Sequence, residues 1–299
     1  MYKENQNKLD DVGIGLISGI LAYTFWGFFP IYFKLTQDAN PVEILSHRIA
    51  WSVPFALIII AIRKQWNELS TAFRSPKLLA TLFFSAIALS INWGVFIYAV
   101  QNDQIFQASL GYFINPLMYI FIGVLFFKEK LTKFQNFSVL LAFIGVFILT
   151  LYGGVFPYIS IVLAVSFSIY GVIRKQADIG SIPGLIIETA ILFIPAILFL
   201  VWLGSSSGLT FGNSPKITFL LILAGPLTVL PLWAFTLAAK KLKLSTLGML
   251  QYIGPTGQFI LAVYYGESFT PAYAICFSLI WIGIILYSYD SYLNYSKKI

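Results

Sequence analysis

Between Lys133 and Arg174 the chain runs for 40 residues without a charged side chain. About 20 apolar helical residues suffice to cross the ~30 Å hydrocarbon core of a bilayer, so this run is twice a span. Gly153-Gly154 and Pro157 interrupt it near its middle, which predicts a tight hairpin of two membrane helices. A water-soluble fold would need polar cover for such a segment. Only 10% of the 299 residues are charged, whereas 59% are hydrophobic, and a soluble domain carries about a quarter charged residues.

The same test applied along the chain gives ten spans: residues 12–33, 42–62, 78–102, 104–127, two within 134–173, then 182–203, 217–239, 244–266 and 268–289. The run at 12–33 exceeds the core of a signal peptide and is read as a retained first span. Glu188 is the single charge within 182–203. The predicted fold class is therefore all-α and integral to the membrane. No connection is long enough for a separate soluble domain.

The net charge of +7 is read as topology rather than as attraction to nucleic acid. With the N-terminus inside, the cytoplasmic segments hold 16 of the 19 Lys and Arg residues, and the outer ends hold Lys34, Arg48 and Lys216. This bias predicts a multi-pass protein with both termini in the cytoplasm.

An internal repeat follows. Ala22-Tyr23-Thr24-Phe25-Trp26-Gly27 in the first span is echoed by Ser166-Phe167-Ser168-Ile169-Tyr170-Gly171 in the sixth. The second span runs from Pro41 through His47-Arg48 to Pro54, and the seventh from Pro183 through Glu188 to Pro195. Leu110-Gly111, Asn115-Pro116 and Glu129 of the fourth correspond to Leu247-Gly248, Gly254-Pro255 and Glu267 of the ninth. The order is preserved five spans apart. Because five is odd, the copies enter the membrane from opposite sides, which makes an inverted repeat with halves 1–152 and 153–299. That architecture suits alternating access.

Two long stretches carry a resemblance. Asn92-Trp93-Gly94-Val95-Phe96-Ile97-Tyr98-Ala99-Val100, with Ala108-Ser109-Leu110-Gly111-Tyr112-Phe113-Ile114-Asn115-Pro116-Leu117, resembles the RarD family. So does Leu244-Ser245-Thr246-Leu247-Gly248, leading into Gln251-Tyr252-Ile253-Gly254-Pro255-Thr256. Leu45-Ser46-His47-Arg48 and Ile186-Ile187-Glu188-Thr189 fit as well. The family falls in the EamA group of the drug/metabolite transporter superfamily. The resemblance covers nearly the whole chain and implies a ten-helix, five-plus-five transporter of the bacterial inner membrane. The family's chloramphenicol-sensitivity label names a phenotype, not a substrate.

Ionisable residues within spans are costly and mark functional sites by default. Glu188 and His47 are the leading candidates, lining a central cavity and binding substrate or protons. The bland alternative makes Glu188 a polar tie to Arg48 or to a neighbouring helix. Arg48 is read as an orienting residue whose stem reaches the outer headgroups, and Glu43 as a residue of the cavity mouth. Asn92, Asn115, Gln251 and Gln258 add uncharged polarity within the spans. Tyr112, Asn115 and Tyr119 share a helical face. Trp26, Trp93 and Tyr252 supply flat walls, with ordinary packing as the alternative. Gly15 and Gly19 form a small-xxx-small pair for close helix packing, and Gly257 is read in the same way.

No catalytic, cofactor or metal site is expected. Gly204-Ser205-Ser206-Ser207-Gly208 matches G-x-S-x-G, but it lies in a loop and the single histidine is upstream. No phosphate-binding glycine loop occurs. The functional expectation is a secondary transporter exporting a small metabolite, amino acid or drug. A membrane-embedded enzyme acting on a lipid-linked substrate is the alternative, and it would call for clustered Asp, Glu or His at one membrane face. A small-molecule solute, protons and membrane lipid are the expected partners, without nucleic acid.

Overall fold

The structure, a computed structural model, describes the backbone of residues 2–127, 132–154, 156–206, 208–242 and 250–296. Side chains are described for these residues apart from 2–11, 116, 119–121, 123–127, 175, 181, 240 and 291–296. Among the described residues all regular structure is helical. The helices are α1 (Tyr2–Gly27), α2 (Phe29–Leu35), α3 (Pro41–Arg63), α4 (Trp66–Phe73), α5 (Pro76–Gln101), α6 (Ile105–Phe127), α7 (Lys133–Gly153), α8 (Tyr158–Gln176), α9 (Ser181–Ser206), α10 (Pro215–Lys241), α11 (Ile253–Tyr264) and α12 (Pro271–Ser296).

Local chemistry sets the boundaries. Three spans begin with a capping side chain followed by proline: Asn40-Pro41, Ser75-Pro76 and Ser214-Pro215. Each cap oxygen accepts a first-turn N–H, from Val42, Leu78 and Ile217 respectively. Proline contributes a preset φ where its missing N–H leaves nothing unpaired. Thr132 and Gln135 open α7 with a reciprocal capping box. The expected hairpin is present: α7 closes on Gly154 at φ +64°, a left-handed position that glycine adopts without strain, and α8 starts just after Pro157.

Seven helical stretches among the described residues are long and apolar enough to cross a membrane. They are Val12–Leu35, Pro41–Arg63, Pro76–Gln101, Lys133–Gly153, Ile182–Ser206, Pro215–Ala239 and Pro271–Asp290, with Tyr158–Arg174 as a shorter apolar helix. The first departs from the sequence expectation. Where one continuous span was predicted, the helix breaks at Phe28 and restarts as α2, with Pro30 in its opening turn. A second departure is α4, a short helix with Trp66 half exposed, inserted between the second and third spans. Glu129, Leu247-Gly248 and the Leu244–Gly248 stretch lie outside the described residues, as do the basic residues at 128, 130, 243, 297 and 298.

Packing is inverted relative to a soluble protein. Phe143, Ile194 and Trp202 face outward, whereas Glu43, His47, Arg48, Asn92, Asn115 and Glu188 are buried. An exterior of large apolar side chains around a polar interior matches a hydrocarbon solvent. The main helix pairs are α1 with α10, α5 with α8, α3 with α9 and α10, α5 with α9, α6 with α8 and α11, α1 with α11, and α7 with α12. Glycine permits the closest approaches. A Cβ at Gly111 would lie 2.8 Å from the Ser160 carbonyl oxygen, and one at Gly257 would lie 3.1 Å from the Cα of Gly27. Gly15 and Gly19 also serve internal packing, against Leu242 and Leu250 respectively.

Candidate functional site

Three polar clusters occupy the interior, and they take in part of the sequence-predicted set. The largest centres on Arg48. Proline at position 41 fixes the start of α3, and two turns later the buried Arg48 side chain turns inward. Its Nε donates to Thr228 Oγ1 of α10 at 2.7 Å. The guanidinium carbon lies 4.1 Å from the centroid of Trp93, 5.4 Å from Phe29 and 5.9 Å from Phe33. Tyr32 and Tyr112 are within electrostatic reach. Arg48 is therefore not the headgroup-seeking residue that its position in the second span suggests. The unanticipated α2 supplies the reason: by breaking away from α1 it places Phe29 and Phe33 beside the Arg48 guanidinium, and the cation prefers these ring faces to a long reach for water.

Trp93, Asn92 and Tyr112 join this cluster as predicted side chains. The Tyr112 hydroxyl donates to Asn92 Oδ1 at 2.9 Å, and Asn92 Nδ2 donates to the Leu163 carbonyl and Ser166 Oγ on α8. Asn115 lies one turn along α6 from Tyr112. It is wholly buried, and neither its amide nitrogen nor its amide oxygen has a hydrogen-bond partner. The side chain of Tyr119, the third member of that face, lies outside the described residues.

Glu188 forms the second cluster. It is fully buried on α9, accepts from Ser85 Oγ of α5 at 2.5 Å and lies 3.7 Å from Arg174 Nε of α8. Its second oxygen, Oε2, has no hydrogen-bond partner. Arg174 also donates to the Gly180 carbonyl, and Gly180 N–H donates to Glu68 of α4. The cation attending Glu188 is thus Arg174, which the charge count treats as topological, and not Arg48.

His47 belongs to a third cluster. It stacks on Phe211 with ring centroids 4.7 Å apart, and its Nε2 is 4.0 Å from Glu43 Oε1. Glu43 Oε1 in turn accepts the backbone N–H groups of Thr210 and Phe211, pinning the loop before α10. Glu43 is 1% exposed, a buried anchor rather than an open mouth residue. His47 and Glu188 therefore have different neighbours and do not form one pair.

The remaining predicted residues gather around α1 and α11. Trp26 packs against Tyr23 and Phe235, and its carbonyl accepts Gln258 Nε2 at 3.4 Å. Gln258 Oε1 is unpartnered. Tyr252 stacks on Phe113, and Gln251 beside it is half-buried. A further carboxylate, Glu267, accepts N–H groups from Ile105 and Phe106 at the start of α6. Burial pushes its carboxyl above the usual range, and those two N–H groups and Lys34 oppose the shift.

Comparison with known proteins places this geometry in a family. Residues 13–151 match the EamA-like transporter family. Protein RarD of Escherichia coli is 40% identical over 279 residues, covering 93% of this chain and 94% of that protein. Protein RarD of Streptomyces exfoliatus is 39% identical over 293 residues, covering 97% and 91%. The chain belongs to the RarD family. An uncharacterized transporter of Vibrio cholerae is 40% identical to this RarD-family chain, over 94% of it and 93% of that protein. A solved crystal structure covers 91% of the chain and 96% of its own at a TM-score of 0.60 and 17% identity, a likeness of fold alone. A RarD-family chain with this many apolar helices is a multi-pass membrane transporter.

Proposed function

We propose that the chain is a ten-span secondary transporter of the bacterial cytoplasmic membrane. It exports a small metabolite, amino acid or drug by alternating access between halves 1–152 and 153–299, with both termini cytoplasmic. The observation that carries this reading is the pattern of helix pairs. Exchanging each helix for its counterpart five spans away turns α1–α10 into α8–α5, α3–α10 into α9–α5, and α6–α8 into α11–α1; all six are packed pairs. The pairs α3–α9, α6–α11 and α7–α12 map onto themselves. Two interlocked halves of opposite orientation can exchange shapes, which is the physical content of alternating access.

Between the halves lies the Arg48 cluster, with aromatic walls from α2 and α5 and a hydroxyl from α10. Solute would meet buried polar groups there that have unused hydrogen-bonding capacity, Asn115 among them. Glu188 and Arg174 link α9 to α8 at a separate point, where the carboxylate would carry a coupling proton.

The test is solute flux in proteoliposomes holding the folded protein, with and without a pH gradient, across amino acids and drugs. Saturable flux of at least one solute, accelerated by the gradient and slowed in Glu188→Gln, is expected. Unchanged flux in Glu188→Gln removes the proton role. Absence of flux for every solute under both conditions counts against transport. A C-terminal reporter found outside the cytoplasm would break the even span count.

A further inference from the structure

We propose that Arg48 is the anion seat of the transported solute, and that the solute class is a monoanionic carboxylate with an apolar or aromatic body. This rests on the transporter reading above and narrows it. The starting point is a charge imbalance. Arg48 is 5% exposed, and no carboxylate pairs with it among the described residues. The buried carboxylates Glu43 and Glu188 and the half-buried Glu267 are engaged elsewhere: Glu43 with two backbone N–H groups, Glu188 with Ser85 and Arg174, Glu267 with two backbone N–H groups. A buried ion without a partner is costly, and ring faces and one hydroxyl offset only part of that cost.

The geometry shows which atoms are left. Thr228 takes the Nε hydrogen, and this is the guanidinium's one hydrogen bond to the described residues. The two terminal nitrogens therefore keep their four N–H donors, and the two that run parallel along their shared edge match the two oxygens of a carboxylate. Trp93 at 4.1 Å from the guanidinium carbon, with Phe29 and Phe33 beyond it, fixes the side chain. A carboxylate would bring the pair to net neutrality within the low-dielectric interior before access to the site changes sides. A dicarboxylate would restore an uncompensated charge. The surrounding rings favour an apolar body on the solute. Asn115, buried with a free donor and a free acceptor one turn beyond Tyr112, supplies a second contact for a polar group.

The experiment uses the full chain in nanodiscs and measures equilibrium binding and thermal shift with benzoate, phenylacetate, indole-3-acetate and 4-methylvalerate. Each acid is compared with its own primary amide. At least one acid is expected to bind and raise the melting temperature, with its amide about 30-fold weaker or worse, the scale of losing one partner of a buried charged pair. Arg48→Gln should lose the acid preference, and Arg48→Lys, which keeps the charge without the fork, should keep a reduced one. The acid-to-amide comparison on the unaltered protein needs no variant to fold. Equal binding of acid and amide, undiminished acid binding by Arg48→Gln, or no binding by any acid overturns the proposal. Flux of an uncharged solute without acid binding would leave the transporter reading standing and remove this one. Acid binding through Arg48 without flux of any acid would keep the seat and count against transport.

Discussion

Consider removal of Arg174. Its Nε lies 3.7 Å from a carboxylate that is fully buried and whose other supporting contact is the Ser85 hydroxyl. At an effective dielectric constant of about 20, two unit charges at that separation attract by about 4 kcal/mol. Arg174→Gln leaves Glu188 stranded, and breaking a buried pair from one side costs about 3–5 kcal/mol. Glu188→Gln is a milder change. Its amide oxygen still accepts from Ser85, and Arg174 keeps its bond to the Gly180 carbonyl, so a cost of about 1–2 kcal/mol is expected. The double variant carries no stranded carboxylate and should lie well above the sum of the two losses, with a coupling of about 1–3 kcal/mol. The assay is equilibrium unfolding in mixed micelles at neutral pH for the four proteins of the cycle. Equal destabilisation by the two single variants, or strict additivity in the double, would refute the claim that α8 and α9 are held together by this pair.

Other outcomes follow from the same clusters. Glu43→Ala should speed hydrogen exchange at the Thr210 and Phe211 amides by roughly tenfold or more, since each donates to that carboxylate; unchanged exchange would show that the loop is held otherwise. Gly111→Val should destabilise by about 1–3 kcal/mol in an unfolding titration, because even a Cβ would press on the Ser160 carbonyl; a neutral effect would mean that α6 and α8 can separate at no cost. For Glu267 the folded carboxyl is raised above its usual 4.5, so folding favours its protonated form. Its contribution to stability is therefore present at acid pH and is lost as pH climbs from about 4.5 through the raised value. Glu267→Gln should flatten that part of the pH–stability curve, and an identical slope would refute it.

The membrane character, the hairpin at Gly153-Gly154, most span boundaries and the placement of His47, Asn92, Asn115, Glu188 and Gln258 inside the bundle were legible in the sequence, whereas the burial of Glu43 and Arg48 was not. An uncharged helical run of span length has one solvent that suits it, and a proline behind an Asn or Ser cap fixes a helix start without reference to the rest of the fold. The duplicated order of motifs from which two halves are proposed can also be read there. The break at Phe28 was not, because Pro30 is equally compatible with the opening turn of a new helix and with a kinked continuous one.

What only the tertiary structure decided is who meets whom. Sequence alignment of the halves sets His47 and Arg48 against Glu188, yet a pair of adjacent residues on a helix points about 100° apart, and neighbouring helices settle each contact. His47 turns to Phe211 and Glu43, Arg48 to Trp93 and Thr228, and Glu188 to Ser85 and Arg174. Composition and periodicity determine that polar groups lie inside an apolar bundle. Which charges are neutralised, and which one is left without a carboxylate partner among the described residues, depends on distances of a few ångströms between helices far apart in the chain, and a linear string does not carry those distances.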